Sequence, residues 1–142
     1  MFFDLKNKKV TIIGAARSGV AVADAVLRLG GIAKISESKV LYEFKGKNII
    51  IEAGGHTKGF IQDSDYVVLS PGVRWDALPV KWAQERSIEV MGEVEFAFRL
   101  VPCPVVAVTG SNGKTTTSTV IAEILKRAGR RVCLCGNIGS PF

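Results

Sequence analysis

The stretch that constrains the fold most runs from Val105 to Thr117, VVAVTGSNGKTTT. A short β-branched run ends in a glycine-rich turn. The segment after it places Val120, Ile121, Ile124 and Leu125 on one face of a helix. Strand, Gly-Lys-Thr loop, helix is the order in which a phosphate-binding loop is built. Its glycines let successive backbone N–H groups turn inward around an anion, and the helix N-terminus adds unpaired N–H groups and a positive dipole end. In such a loop Lys114 reaches the terminal phosphates and the Thr115 hydroxyl holds a Mg²⁺ between them. The usual spacing puts a glycine six residues before the lysine, where this chain has Val108. Gly110 must make the turn instead, which gives a tighter variant of the loop.

A length of 142 residues suits one domain or one and a half. With 47% hydrophobic and 23% charged residues, the chain reads as globular rather than disordered. No apolar run approaches a membrane span, and the Met-Phe-Phe-Asp start lacks the shape of a signal peptide, so a cytoplasmic location is expected. The formal charge of +6 suits a binder of phosphorylated ligands. The basic residues come in small clusters (Lys6/Lys8/Lys9, Lys45/Lys47, Lys126/Arg127/Arg130/Arg131) at expected turns and helix ends. Without interleaved aromatics these read as solvated surface rather than a nucleic-acid face. Cys103, Cys133 and Cys135 are odd in number and lack a Cys-x-x-Cys spacing. On a strand Cys133 and Cys135 would share a face, as a metal pair would, but small buried hydrophobes in a reducing compartment are the expectation.

From the start, Lys9–Ile13 reads as a strand running into Gly14-Ala15-Ala16-Arg17-Ser18-Gly19. A helix over 18–29 follows, stopped by Gly30-Gly31. Strands are expected at 32–36, 48–52, 66–69 and 88–91. Helices are expected just after His56, at 78–86 and at 93–100. This alternation implies an α/β fold with a Rossmann-like, doubly wound parallel sheet. Pro102-Cys103-Pro104 interrupts it before the phosphate loop, so a boundary falls between Gly92 and Pro104. The expected division is a Rossmann-like domain at 1–92. A linker helix at 93–100 and the first strand–loop–helix–strand of a second, P-loop α/β domain fill 93–142.

The first glycine loop is similar to the dinucleotide fingerprint G-x-G-x-x-G, with Glu37 near the spacing of its ribose-binding acid. Ala16 stands at the middle position, where only glycine lets a pyrophosphate approach the backbone closely, so a nicotinamide cofactor is disfavoured. Ser70-Pro71-Gly72 and Gly136-Asn137-Ile138-Gly139 follow strands, where an α/β sheet puts its ligands, although such residues also make ordinary turns. His56, in Gly-Gly-His-Thr, reads as turn or substrate-edge structure.

Together, TGSNGKTT at Thr109–Thr116, Ser70-Pro71-Gly72, Gly92-Glu93-Val94-Glu95 and Gly136-Asn137-Ile138-Gly139-Ser140-Pro141 resemble the Mur ligases. These are the ATP-dependent amide-forming enzymes of peptidoglycan precursor synthesis. The resemblance covers the whole chain but only the front of the family's three-domain architecture. It implies that Gly110, Ser111, Asn112, Gly113, Lys114, Thr115 and Thr116 bind ATP, with Thr115 or Thr116 at Mg²⁺ and Lys114 in the catalytic role. It further implies that Arg17, Ser18, Glu37, Ser38, Lys39, Ser70 and Asn137 hold a UDP-sugar. The implied partners are UDP-N-acetylmuramoyl-L-alanine and D-glutamate, joined through an acyl phosphate by a monomer that needs neither nucleic acid nor membrane. The family's magnesium-binding glutamate, modified lysine, adenine pocket and amino-acid domain would lie after Phe142, so 1–142 is expected to be inactive alone.

Two other readings stay open at this point. One is the family's L-alanine-adding branch, whose loop carries His where this chain has Asn112. The other is a nicotinamide-dinucleotide domain built on the first loop. A regulatory or nucleic-acid-binding ATPase would call for a strand ending in Asp after the loop and a basic stripe, and the sequence displays neither.

Overall fold

The computed structural model describes residues 3–40 and 48–136. Internal contacts divide the chain into two units, Met1–Val101 and Pro102–Phe142.

In the first unit β1 (Lys9–Ile13), α1 (Arg17–Arg28), β2 (Ile32–Glu37) and β3 (Ile50–Ala53) come first. Then follow α2 (Lys58–Gln62), β4 (Tyr66–Leu69), α3 (Leu78–Glu85), β5 (Glu89–Gly92) and α4 (Glu93–Leu100). All five strands are parallel, in the order β3-β2-β1-β4-β5. The chain moves outward from β1 through β2 to β3 and then returns to the other side of β1. The sheet therefore has its topological switch point between β1 and β4, at whose carboxyl ends such folds bind ligands.

Helices cover both faces, which is why β1 and β4 read as continuous apolar runs rather than alternating ones. On one face Val10, Ile12, Ala33, Ile35, Val68 and Met91 pack with Val22 and Val26 of α1 and Phe96 of α4. On the other, Ile13, Val67 and Leu69 pack with Ile61 of α2 and Val80 and Ala83 of α3. Because α4 packs against α1, β4 and β5, it counts with the first unit. The division thus falls after Val101 rather than at Gly92.

A buried lysine lies on the α2 face. Lys34 is only 3% exposed, and its ammonium donates to the Phe60 and Asp63 carbonyls at 2.8 and 2.6 Å, with the Asp63 carboxylate at 3.3 Å. It sits 4.4 Å from the centre of the Phe60 ring. Burial pushes its pKa down, against the opposing pull of Asp63. In effect the lysine caps the carboxyl end of a five-residue helix too short to cover this part of the sheet alone.

The second unit contains α5 (Lys114–Arg127). It ends in a Schellman turn: Gly129 has φ +76°, its N–H donates to the Lys126 carbonyl, and the Arg130 N–H donates to the Leu125 carbonyl. The segments 105–108 and 132–135, expected as strands, carry no ladder here. An isolated parallel pair gains little from its hydrogen bonds, and among the described residues Ala122 is the one fully buried apolar residue of this unit. For the same reason Cys103 and Cys133 are exposed rather than buried, and Cys135 is half-buried. Among the described residues no three His, Cys, Asp or Glu side chains are grouped to hold a metal, and no helix is long and apolar enough to cross a membrane.

Candidate functional site

The first unit builds its candidate site from loops at the carboxyl ends of β1, β2, β4 and β5. The Gly14 N–H donates to the Ser36 carbonyl at 2.9 Å and the Ser70 N–H to the Ile13 carbonyl at 3.1 Å. The Ser70 hydroxyl donates to the Gly14 carbonyl at 3.1 Å, and Ser70 is buried. Ser70 thus bolts the end of β4 to the first glycine loop. Two of the loop's glycines are fixed by this contact. A Cβ on Gly14, which has φ +99°, would lie 3.0 Å from the Ser70 Cβ. On Gly19 it would lie 2.1 Å from the Gly14 carbonyl oxygen.

Ala16, at the fingerprint's middle position, is the N-cap of α1, and no side chain caps the helix there. The first-turn N–H groups of a twelve-residue helix, at a switch point, therefore have no side-chain acceptor, which is the usual condition for an anion site. Arg17 opens the helix at this point and is exposed. Ser18 hydrogen-bonds the Glu93 carboxylate. Burial pushes the Glu93 carboxyl above its usual range, and the Ser18 bond only partly opposes that. Glu93 was not singled out by sequence as a site residue. The signal available was an acid directly after Gly92, in the first turn of α4. It lines a cleft of about 210 Å³ together with Leu69, Ser70, Val73, Trp75 and Val94.

Glu37 closes the opposite side. Its carboxylate accepts from the Ala15 N–H at 2.8 Å, the Lys39 N–H at 3.0 Å and the Ser38 hydroxyl at 3.1 Å. Burial alone would raise this carboxyl; these hydrogen bonds outweigh it and hold the group below its usual range. Glu37 therefore spends part of its accepting capacity holding the first loop in shape. The oxygen of an ionised carboxylate has two lone pairs, so a ligand hydroxyl can still bond to it. Asn137 lies outside the described residues.

In the second unit the loop before α5 has the backbone of a cradle. Gly110 has φ +144° and Gly113 φ +76°, conformations that side-chain-bearing residues rarely adopt. Gly113 is the N-cap of α5, with no side chain bonded to the helix end, and the Thr117 N–H closes the first helical turn on the Gly113 carbonyl at 2.9 Å. The Lys114 ammonium folds over the loop onto the carbonyls of Gly110 and Ser111. Ser111, Asn112, Thr115 and Thr116 are exposed around it. An anion lodged in the cradle would meet backbone N–H groups, the dipole end and one mobile cation, the set that phosphate requires. The loop geometry therefore fits a nucleotide's phosphates, and the hydroxyls of Thr115 and Thr116 are the candidates for Mg²⁺.

The family model for the Mur ligase middle domain matches residues 108–141, over this loop and helix. A UDP-N-acetylmuramoylalanine–D-glutamate ligase of Desulfosudis oleivorans is 40% identical across 98% of the chain. Both units of the chain are similar to Mur ligases. It spans about a third of that relative's length, 32%. Among solved structures, a pseudomurein peptide ligase type C from Methanothermus fervidus superposes with a TM-score of 0.56 at 28% identity. That match covers 87% of this chain and 27% of the other. A UDP-N-acetylmuramate–alanine ligase from Thermotoga maritima gives the same TM-score at 23% identity, covering 86% of this chain and 30% of the other, and so shares the fold.

Proposed function

We propose that the protein carrying this chain is an ATP-dependent ligase of peptidoglycan precursor synthesis that joins D-glutamate to UDP-N-acetylmuramoyl-L-alanine. The observation that carries this reading is the similarity to the D-glutamate ligase of Desulfosudis oleivorans, which runs through both units. In this account the first unit holds the UDP-sugar. The N-terminus of α1, with Arg17 and Ser18, faces the diphosphate. Glu37, Ser38 and Lys39 lie along the nucleoside, and the segment from Ser70 borders the sugar. The second unit holds ATP on Gly110–Thr116. Lys114 turns from the Gly110 and Ser111 carbonyls to the terminal phosphates, and Thr115 and Thr116 offer hydroxyls to Mg²⁺. That ion, when bound, neutralises charge between the phosphates. What these residues contribute is positioning and charge neutralisation while the substrate carboxylate attacks phosphorus and the amine then displaces phosphate. Such an enzyme works in the cytoplasm.

Asn112 separates this reading from the L-alanine-adding branch, and Ala16 separates it from a nicotinamide enzyme. The test is phosphate release by the full-length protein supplied with ATP, Mg²⁺ and UDP-N-acetylmuramoyl-L-alanine. Release that depends on D-glutamate is expected. Release that depends instead on L-alanine with UDP-N-acetylmuramate would overturn the assignment.

A further inference from the structure

Helices α1 and α4 pack together, and the first turns of both meet beside the cleft. Ser18 stands in the first turn of α1 and Glu93 in the first turn of α4, and their side chains are hydrogen-bonded. Neither helix has a side-chain cap at its own N-cap residue, Ala16 or Gly92. Glu93 is half-buried and lines the cleft together with Ser70. A serine hydroxyl has one hydrogen, and an ionised carboxylate only accepts. While Glu93 is charged, the Ser18 hydrogen is therefore committed to it, and Ser18 can present only lone pairs to anything else. With Glu93 protonated the bond can reverse. The carboxyl O–H then donates to the Ser18 oxygen, and the Ser18 hydrogen is free to be donated elsewhere.

A phosphate oxygen at the α1 N-terminus needs donors, and its negative charge disfavours an ionised carboxylate nearby. We propose that Glu93 is a proton-coupled positioning residue: binding of the diphosphate draws one proton from solvent onto its carboxyl, the Ser18–Glu93 bond reverses, and the Ser18 hydroxyl turns to a phosphate oxygen. The inference rests on the UDP-sugar reading above. Burial lifts the Glu93 carboxyl above its usual range, which brings its protonation closer to neutral pH. The charged groups on the elements packed around it are otherwise engaged or distant. Arg99, on the same helix, pairs with Glu95 and with Glu89 of β5. On α1, Asp24 and Arg28 follow Ser18 by about two and three turns, and Arg17, beside Ser18, would itself meet the diphosphate. Strand β4 carries only Tyr66, at its far end, against Phe3.

The experiment is calorimetry of the 142-residue chain with UDP-N-acetylmuramoyl-L-alanine from about pH 6 to about pH 8, above the ordinary carboxyl range. Buffers of different ionisation enthalpy count the protons taken up on binding. The ligand's diphosphate, esterified at both ends, brings no titrating proton of its own in this window. Protein groups elsewhere contribute alike to wild type and to Glu93→Gln, so the difference between the two is read. Wild type should take up more protons than Glu93→Gln, by an amount approaching about one per ligand, and its affinity should fall about tenfold relative to that variant across the window. Ser18→Ala should cost about tenfold at the acid end, where the hydroxyl donates, and little at the alkaline end. Thermal unfolding checks that both variants are folded. Wild type alone already tests the sign: an affinity that rises with pH overturns the proposal without any variant. Equal proton counts in wild type and Glu93→Gln, or a Ser18→Ala loss that is the same at both ends, overturn it and leave the UDP-sugar reading standing. Failure of wild type to bind the UDP-sugar overturns both.

Discussion

Gly19→Ala tests the packing that shapes the first loop. The added methyl would sit 2.1 Å from the Gly14 carbonyl oxygen and 2.9 Å from the Ser70 hydroxyl. Ordinary contact begins near 3.4 Å, so α1 must move away from the loop by more than 1 Å or the loop must open. Overpacking of this kind costs about 1–3 kcal/mol. Separating the Ser70 hydroxyl from the Gly14 carbonyl forfeits about 0.5–1.5 kcal/mol more. Against this, alanine is the better helix former by about 0.8–1 kcal/mol. The clash wins, for a net loss of about 0.5–3.5 kcal/mol, centred near 2 kcal/mol. In a unit of this size that lowers the melting temperature by roughly 10–20 °C. Gly59→Ala in α2 is the control: a Cβ there meets nothing within 4 Å, so only the helix-propensity gain remains. Circular dichroism melts and urea titrations of both variants give the comparison. Gly19→Ala melting at or above wild type, with Gly59→Ala no more stable than wild type, would refute the close-packing account of the loop.

Lys34→Met keeps the buried stem but strands the Phe60 and Asp63 carbonyls, and should lower stability by about 2 kcal/mol in urea titration. Hydrogen bonds hold the Glu52 carboxyl below its usual range, so its contribution is present at neutral pH and fades as pH falls through that lowered value. Glu52→Gln should therefore be less stable than wild type at pH 7, with the gap closing on acidification; a gap that widens in acid would contradict the network. Lys114→Ala should weaken pyrophosphate binding about ten- to a hundredfold, since a charge-assisted contact is lost, while thermal unfolding stays near wild type because the lysine is exposed. Equal anion affinity in the two proteins would remove the phosphate role of the loop.

Much of the first unit was legible because strong local signals agreed with the tertiary fold. Lys9–Ile13 and Tyr66–Leu69 are β-branched runs bounded by Gly14 and by Ser70-Pro71, and both strands fall where expected. Helix α4 likewise begins after Gly92 and ends before Pro102. At Gly30-Gly31 the helix stop is a Schellman turn, Gly31 N–H to the Val26 carbonyl and Gly30 N–H to the Leu27 carbonyl. Strand β3 starts at Ile50, later than expected, because Asn48 adopts φ +65° and cannot continue a strand. Other features depend on partners distant in sequence and leave no local mark. Lys34 looks like a surface residue until α2 brings two carbonyls over it. Nothing around Ser70 in the sequence shows that its hydroxyl bonds the Gly14 carbonyl. The strands expected at 105–108 and 132–135 rest on short apolar runs, which report a suitable half-buried surface rather than an intrinsic backbone preference. Val106 is instead 63% exposed.

The central claim is that the loops after β1, β2 and β4 form one nucleotide-sugar site. Amide chemical-shift mapping of the ¹⁵N-labelled chain during titration with UDP tests it most directly. The account predicts saturable shifts concentrated at residues 14–18, 37–39 and 70–73, with little response to NAD. Shifts confined to other surfaces, or a response to NAD at these loops with none to UDP, would contradict it.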